Sequence, residues 1–180
     1  EGREFVDASK KNSTTGSMCL IDPEGTVVCS DNLKQIKARG NTTFANAEKK
    51  SYQIKLNKKA DLINCGESGK TWVLLASFFD ATQIRDKMFK DLAKAIEMQY
   101  TASCDWIDLY YDGEYRGTYL VSEKNSIGSS TINITDMEKA YENANASYGD
   151  DEIISEAYNK YGQKFTYTEN LNEPADISGG

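Results

Sequence analysis

Histidine is missing from all 180 residues of this chain. That absence removes Ser-His-Asp triads, Cys-His dyads and His-ligated zinc sites, so any chemistry falls to lysine, arginine, carboxylates or backbone donors. No apolar run approaches the ~18 residues of a membrane-spanning helix, so no span is expected. The four cysteines, at 19, 29, 65 and 104, have no C-x-x-C spacing, which argues against a zinc site. Residue 1 opens a polar stretch without a targeting signal, so any signal peptide is expected to have been removed already.

What is present fits a soluble globular chain of one domain, or one and a fragment, with room for a real core: 39% of residues are hydrophobic and 27% charged. The net charge of −7 is uneven. Residues 1–124 carry 18 basic and 18 acidic side chains, whereas residues 125–180 carry 3 and 10. Nucleic acid is therefore not an expected partner.

Against this balance stands the stretch 34–56, K-Q-I-K-A-R-G-N-T-T-F-A-N-A-E-K-K-S-Y-Q-I-K-L. Ile36 and Ala38 alternate with Lys37 and Arg39, Gly40-Asn41 supplies a turn, and Tyr52, Ile54 and Leu56 alternate with Gln53 and Lys55. Counted to Lys59, it holds eight basic residues and a single acid, Glu48. Two cationic strands beside a Gly-Asn-Thr-Thr turn make a cradle for phosphate, with a planar fork from Arg and a point charge from Lys. A solvated hairpin with ordinary surface lysines would show the same charge run.

Upstream, residues 4–6 read as a lead-in strand or arm. Residues 18–21 and 26–29 form a hairpin about Asp22-Pro23-Glu24-Gly25. Cys19 and Cys29 flank that turn, and both a disulfide and free cysteines are compatible with it. Downstream come a doubly apolar strand at 72–77 and a helix at 80–98. The helix has Asp80 as N-cap and one apolar stripe of Ile84, Met88, Leu92 and Ile96, which is expected to pack in the core. Strands 106–111 and 114–122 flank the two-residue turn Asp112-Gly113. The fold class expected is α+β, an antiparallel sheet with one long packed helix. Beyond Lys124 a helix is expected from Thr135, a second at about 151–161 ending at Gly162, and a short strand at 164–168. This acidic, aliphatic-poor part is expected to be the more mobile one.

The stretch Gly66-Glu67-Ser68-Gly69-Lys70-Thr71 imitates a P-loop, but the required first glycine falls on Asn64. Thr71 also leads into a strand rather than a helix, so the motif is rejected.

Three pieces in order resemble one family. They are R-G-N-T-T with K-K-S-Y-Q-I-K-L, then W-V-L-L-A with D-x-x-x-x-R, then D-L-Y-Y-D-G-E-Y-R-G-T-Y-L-V-S-E-K. Over residues 34–124 the chain is similar to the spore-coat-protein-H (CotH) kinase-like family. The resemblance implies the N-lobe of an atypical protein kinase over 1–124, followed by an acidic insertion or linker over 125–180. It implies an ATP- and Mg-dependent transferase acting on secreted or surface protein substrates, itself secreted or at the cell surface. The catalytic acids and metal ligands are expected beyond Gly180, so this fragment alone is expected to be inactive and to bind ATP weakly.

By the same resemblance Lys55 is the phosphate-touching catalytic lysine and Arg39 a second cation. Leu120, Ser122 and Glu123 belong to a hinge at 120–124 whose backbone meets adenine. Arg85 matches the family's helix arginine, although Asp86 replaces its usual Asn neighbour. A structural ion pair is the plainer role for Arg85 and Glu123. Two rival readings are a non-catalytic interaction domain with the same fold and a carbohydrate-associated β module, the latter supported only by 11 tyrosines.

Overall fold

The computed structural model describes residues 2–66, 68–127 and 132, and the backbone of 153–158 and 164–168. The D-P-E-G turn sits where its residue types place it. The Gly25 N–H donates to the Asp22 carbonyl at 3.0 Å, Gly25 has φ +88°, and the Asp22 carboxylate accepts from the Thr26 N–H at 2.7 Å. It joins β1 (Ser13–Ile21) to β2 (Val27–Arg39). The strand of 26–29 and the alternating residues 36–39 thus belong to one 13-residue strand, bent by a bulge between Leu33 and Gln35.

A short helix α2 (Thr42–Asn46) then fills what the sequence suggests is a loop. β3 (Ser51–Ala60) and β4 (Gly69–Leu75) follow. Gly69-Lys70-Thr71 therefore opens a strand, as the rejection of a P-loop requires. After α3 (Arg85–Ala95), β5 (Cys104–Tyr111) and β6 (Glu114–Glu123) form a hairpin. Asp112 and Gly113 at its turn have φ +52° and +79°, the two positive values a tight primed turn demands. All neighbours pair antiparallel in the order β1-β2-β3-β4-β6-β5, so β1 and β5 are the edges.

One face of this curled sheet holds the core. Ile36, Ala38, Tyr52, Ile54, Leu56, Trp72, Leu74, Tyr119 and Val121 are buried there together. Residues 4–6, expected as a strand or arm, lie in a helix instead, α1 (Arg3–Ala8), because its Val6 plugs the core at 0% exposure. Arg3 bridges Asp7 at 3.0 Å and Glu114 at 2.9 Å, and Asp7 accepts the Tyr52 hydroxyl at 2.9 Å. These bonds anchor the helix to the sheet.

The long packed helix is the main correction. α3 has 11 residues rather than spanning 80–98, and Asp80 caps the turn before it, accepting from Thr82 and from the Arg85 N–H at 3.0 Å. Its apolar stripe faces solvent: Ile84, Met88, Leu92 and Ile96 are 55%, 51%, 53% and 66% exposed. The sheet side of the helix carries Lys90, whose Nζ lies 3.5 Å from the Ser122 hydroxyl, and Lys94 reaches Ser103. Serine hydroxyls on the sheet offer polar partners, so the lysine face docks and the apolar face does not. The fold is α+β but strand-dominated.

Cys19 and Cys29 are both free thiols, and the register explains why. Cys19 stands opposite Ser30 and Cys29 opposite Leu20, a one-residue offset that sends the two sulfurs to opposite faces.

Residues 126–180 form a second compact unit, described by itself. Its β7 (Ile153–Tyr158) pairs antiparallel with β8 (Lys164–Thr168). β8 is the short strand expected at 164–168. The helix expected at 151–161 is a strand instead, because ladder pairing to β8 outweighs the weak local helix preference. The helix expected from Thr135, and the mobility expected of this part, lie outside the described residues.

Two carboxylates tie acid stability to loop geometry. Asp31 is held below the usual carboxylate range by the Lys58 N–H, against an opposing desolvation, with help from the Asn32 and Asn57 N–H groups. Asp80 is lowered in the same direction, first by the Thr82 hydroxyl. A depressed folded pKa contributes stability above the unfolded value of about 3.9 and loses it as pH falls through the folded value. Urea unfolding should therefore show a loss of stability below about pH 4 that shrinks in Asp31→Asn. An Asp31→Asn profile as steep as that of the parent chain would reject the assignment.

Candidate functional site

Strand register sorts the sequence candidates by face. Arg39 stands opposite Ser51, Lys37 opposite Gln53 and Lys55 opposite Thr71, while Val73 pairs with Ser122 and Leu75 with Leu120. Side chains of paired residues share a face. Arg39, Lys55, Leu120 and Ser122 therefore lie on the face opposite the core. Glu123 pairs with Trp72 and takes the core side, where its carboxylate packs so close to Gly69 that a Cβ there would lie 2.7 Å from Oε1. Arg85 pairs with Asp80 at 3.5 Å, not with Glu123.

Leu120 and Ser122 are 0% and 1% exposed, and their strand lies between β4 and β5. The backbone of residues 120–122 is thus laddered on both sides and has no free edge to offer a base. Any backbone contact of the hinge kind is left to Glu123 and Lys124, past the last β5 pair, Cys104↔Ser122.

The eight basic residues of 34–59 divide by what they hold. Lys50 donates to the carbonyls of Phe44 and Ala47 at 2.7 and 2.6 Å and ends α2. Lys49 donates to the Thr118 carbonyl at 2.5 Å and sits 4.3 Å over the Tyr119 ring, with burial lowering its pKa. These two cations are structural. Lys55 is exposed and, among the described residues, has no acidic partner.

Arg39 differs from all of them. Its guanidinium is partly buried, burial draws its pKa below the ordinary arginine value, and no carboxylate among the described residues pairs with it. It opens onto a pocket of about 430 Å³ lined also by Thr43, Ser51, Ser77 and Arg85, with two carboxylates, Asp80 and Asp86, on the Arg85 side. Asp80 meets Arg85 at Nε, 3.5 Å away. A desolvated cation without a counterion favours an incoming anion, and two guanidinium forks with three hydroxyls match phosphate. Sequence reasoning picked out Arg39 and Arg85 separately, but their meeting depends on the 77–85 turn, which no local pattern announces.

Arg39 and Lys55 do not converge. Lys55 is opposite Gln35, four residues along β2 from Arg39, which places the two about 13 Å apart. A single phosphate group meets both only where both side chains extend toward it along the strands.

Gly40 supports the pocket at φ +96°, and a Cβ there would clash with the Thr43 hydroxyl. Gly40→Ala should cost about 1–3 kcal/mol and disturb the Arg39 pocket. A thermal unfolding midpoint equal to that of the parent chain would show that the turn tolerates a side chain.

The family model described as CotH kinase protein matches residues 36–176, and the chain belongs to that family. No curated protein matches it. Among the described residues no helix is long and apolar enough to cross a membrane.

Proposed function

We propose that this domain binds ATP on the sheet face bearing Arg39 and Lys55, as the nucleotide-binding part of an ATP-dependent kinase acting on secreted or surface proteins. The observation that carries the reading is Arg39, a partly buried cation with no acidic partner among the described residues, opening with Arg85 onto a pocket of about 430 Å³. A nucleotide lying along β3 meets Lys55 at one end of its path and Arg39 at the other. Arg39 and Arg85 orient phosphate oxygens through their forks, and Lys55 neutralises charge as a mobile point cation. The residues fit phosphate. For Mg²⁺, no group of three or more carboxylate or cysteine side chains stands among the described residues, and a Mg²⁺ carried by ATP would need only one or two carboxylates beside the phosphates. No step is therefore assigned to a metal here.

The test is ATP-dependent labelling of protein by a longer protein that extends past Gly180 and by its Lys55→Ala variant. Labelling should fall at least about tenfold in the variant, with its circular dichroism unchanged, because Lys55 is exposed on the sheet face opposite the core. Equal labelling by both would remove Lys55 from the mechanism. No labelling by either would favour a non-catalytic interaction domain.

A further inference from the structure

On the core side, away from Arg39 and Lys55, a cavity of about 490 Å³ opens between the two edge strands of the curled sheet. Its lining is unusual in one respect. Every residue from 14 to 20 of β1 and every residue from 107 to 112 along β5 and its turn contributes. Successive side chains of a strand point to opposite faces, so an unbroken run means that the main-chain edges themselves form the walls. Ile36, Ile54, Leu74 and Val121 make an apolar floor.

We propose that this gap is a slot for one extended polypeptide strand, supplied by a protein partner that pairs with the β1 edge and closes the curled sheet. An edge strand exposes a row of N–H and C=O groups, which an added strand satisfies and an aliphatic ligand leaves unpaired. Natural edges are commonly blocked by charge or proline. β1, S-T-T-G-S-M-C-L-I, has neither, alone among the six strands of this sheet, whereas the β5 edge carries Asp105 and Asp108. β1 is the open edge.

Two further features set the chemistry of the occupant. The Tyr111 hydroxyl on the β5 wall is buried and has no hydrogen-bond partner among the described residues, a donor suited to a carbonyl. Neither wall carboxylate among the described residues is left without a donor: Asp108 accepts from the Tyr115 and Thr118 hydroxyls on the far face, and Asp112 accepts from the Arg3 N–H. The fitting strand is therefore uncharged where it passes β5 and apolar at the alternate positions that meet the floor.

The probe is a synthetic nonapeptide of alternating valine and threonine with a lysine at each end, added to the full chain. Binding is followed by calorimetry and by hydrogen exchange of β1. The peptide should bind and slow exchange in residues 13–21, and Cys19→Lys should weaken binding at least about tenfold by placing a charge on the edge. Ser17→Lys should do the same, and both positions are exposed, so the fold survives either change. Lys55→Ala should leave peptide binding unchanged, which separates this slot from the nucleotide face. Three results would overturn the proposal: no peptide binding, equal binding by the lysine variants, or β1 protection arising only from self-association of the chain in sedimentation. Binding of a decyl-chain detergent that displaces the peptide without protecting β1 would identify a lipid-like ligand site instead and overturn it as well.

Discussion

Trp72→Ala is expected to destabilise the domain by about 3–5 kcal/mol in urea unfolding, the range for a large aromatic removed from a packed interior. Trp72 is 0% exposed on the inner strand β4, with Ile54 across one ladder and Glu123 across the other. Its loss leaves a void that laddered neighbours on both sides cannot close, and it removes the 3.2 Å indole bond to the Gly69 carbonyl. Leu92→Ala is the informative contrast. An apolar stripe packed in the core would make that change cost about 2–5 kcal/mol, whereas a leucine already 53% exposed should lose less than about 0.5 kcal/mol. A large cost at Leu92 would contradict the orientation of α3.

Arg39→Met should separate binding from stability. The substitution keeps the apolar stem of the side chain but removes the desolvated charge that no carboxylate among the described residues offsets. The variant should unfold at the same urea concentration as the parent chain or a higher one. Its affinity for ATP should fall at least about tenfold, as expected for the loss of a charge-assisted, forked contact to phosphate. Loss of affinity together with clear destabilisation would mean that Arg39 is a structural cation and that the pocket is incidental.

Much of the sheet was legible in the sequence because its signals are local. D-P-E-G and Asp112-Gly113 set two turns, and the period-2 runs around Ile36, Ile54 and Leu120 set which residues share a face. Arg39, Lys55, Leu120 and Ser122 fell on one face for that reason alone. The orientation of α3 was not legible. A stripe at 84, 88, 92 and 96 shows that one side of a helix is apolar, but not what that side meets, and here Ser103, just before β5, and Ser122 on β6 meet the lysine side. The lead-in residues 4–6 looked extended because Phe5 and Val6 favour strands, yet a single buried Val6 and the Arg3–Asp7–Glu114 contacts decided for a helix. The strand β7 was missed because its partner β8, and not its own composition, determines it.

The site was legible only in pieces. Lys49 and Lys50 cannot be told from Lys55 by charge, and only the carbonyls of Phe44, Ala47 and Thr118 reveal that the first two are occupied. The value of Arg39 as an anion partner comes from a missing carboxylate, which a sequence holding balanced charge over residues 1–124 does not disclose.

Chemical-shift mapping of the labelled chain during an ATP titration tests the central claim most directly. The predicted result is a saturable set of perturbations at Arg39–Thr43, Gln53–Lys55 and Ser77–Arg85, lost in Arg39→Met and reduced in Lys55→Ala. Perturbations confined to the core face, or none up to saturating ATP, would contradict it.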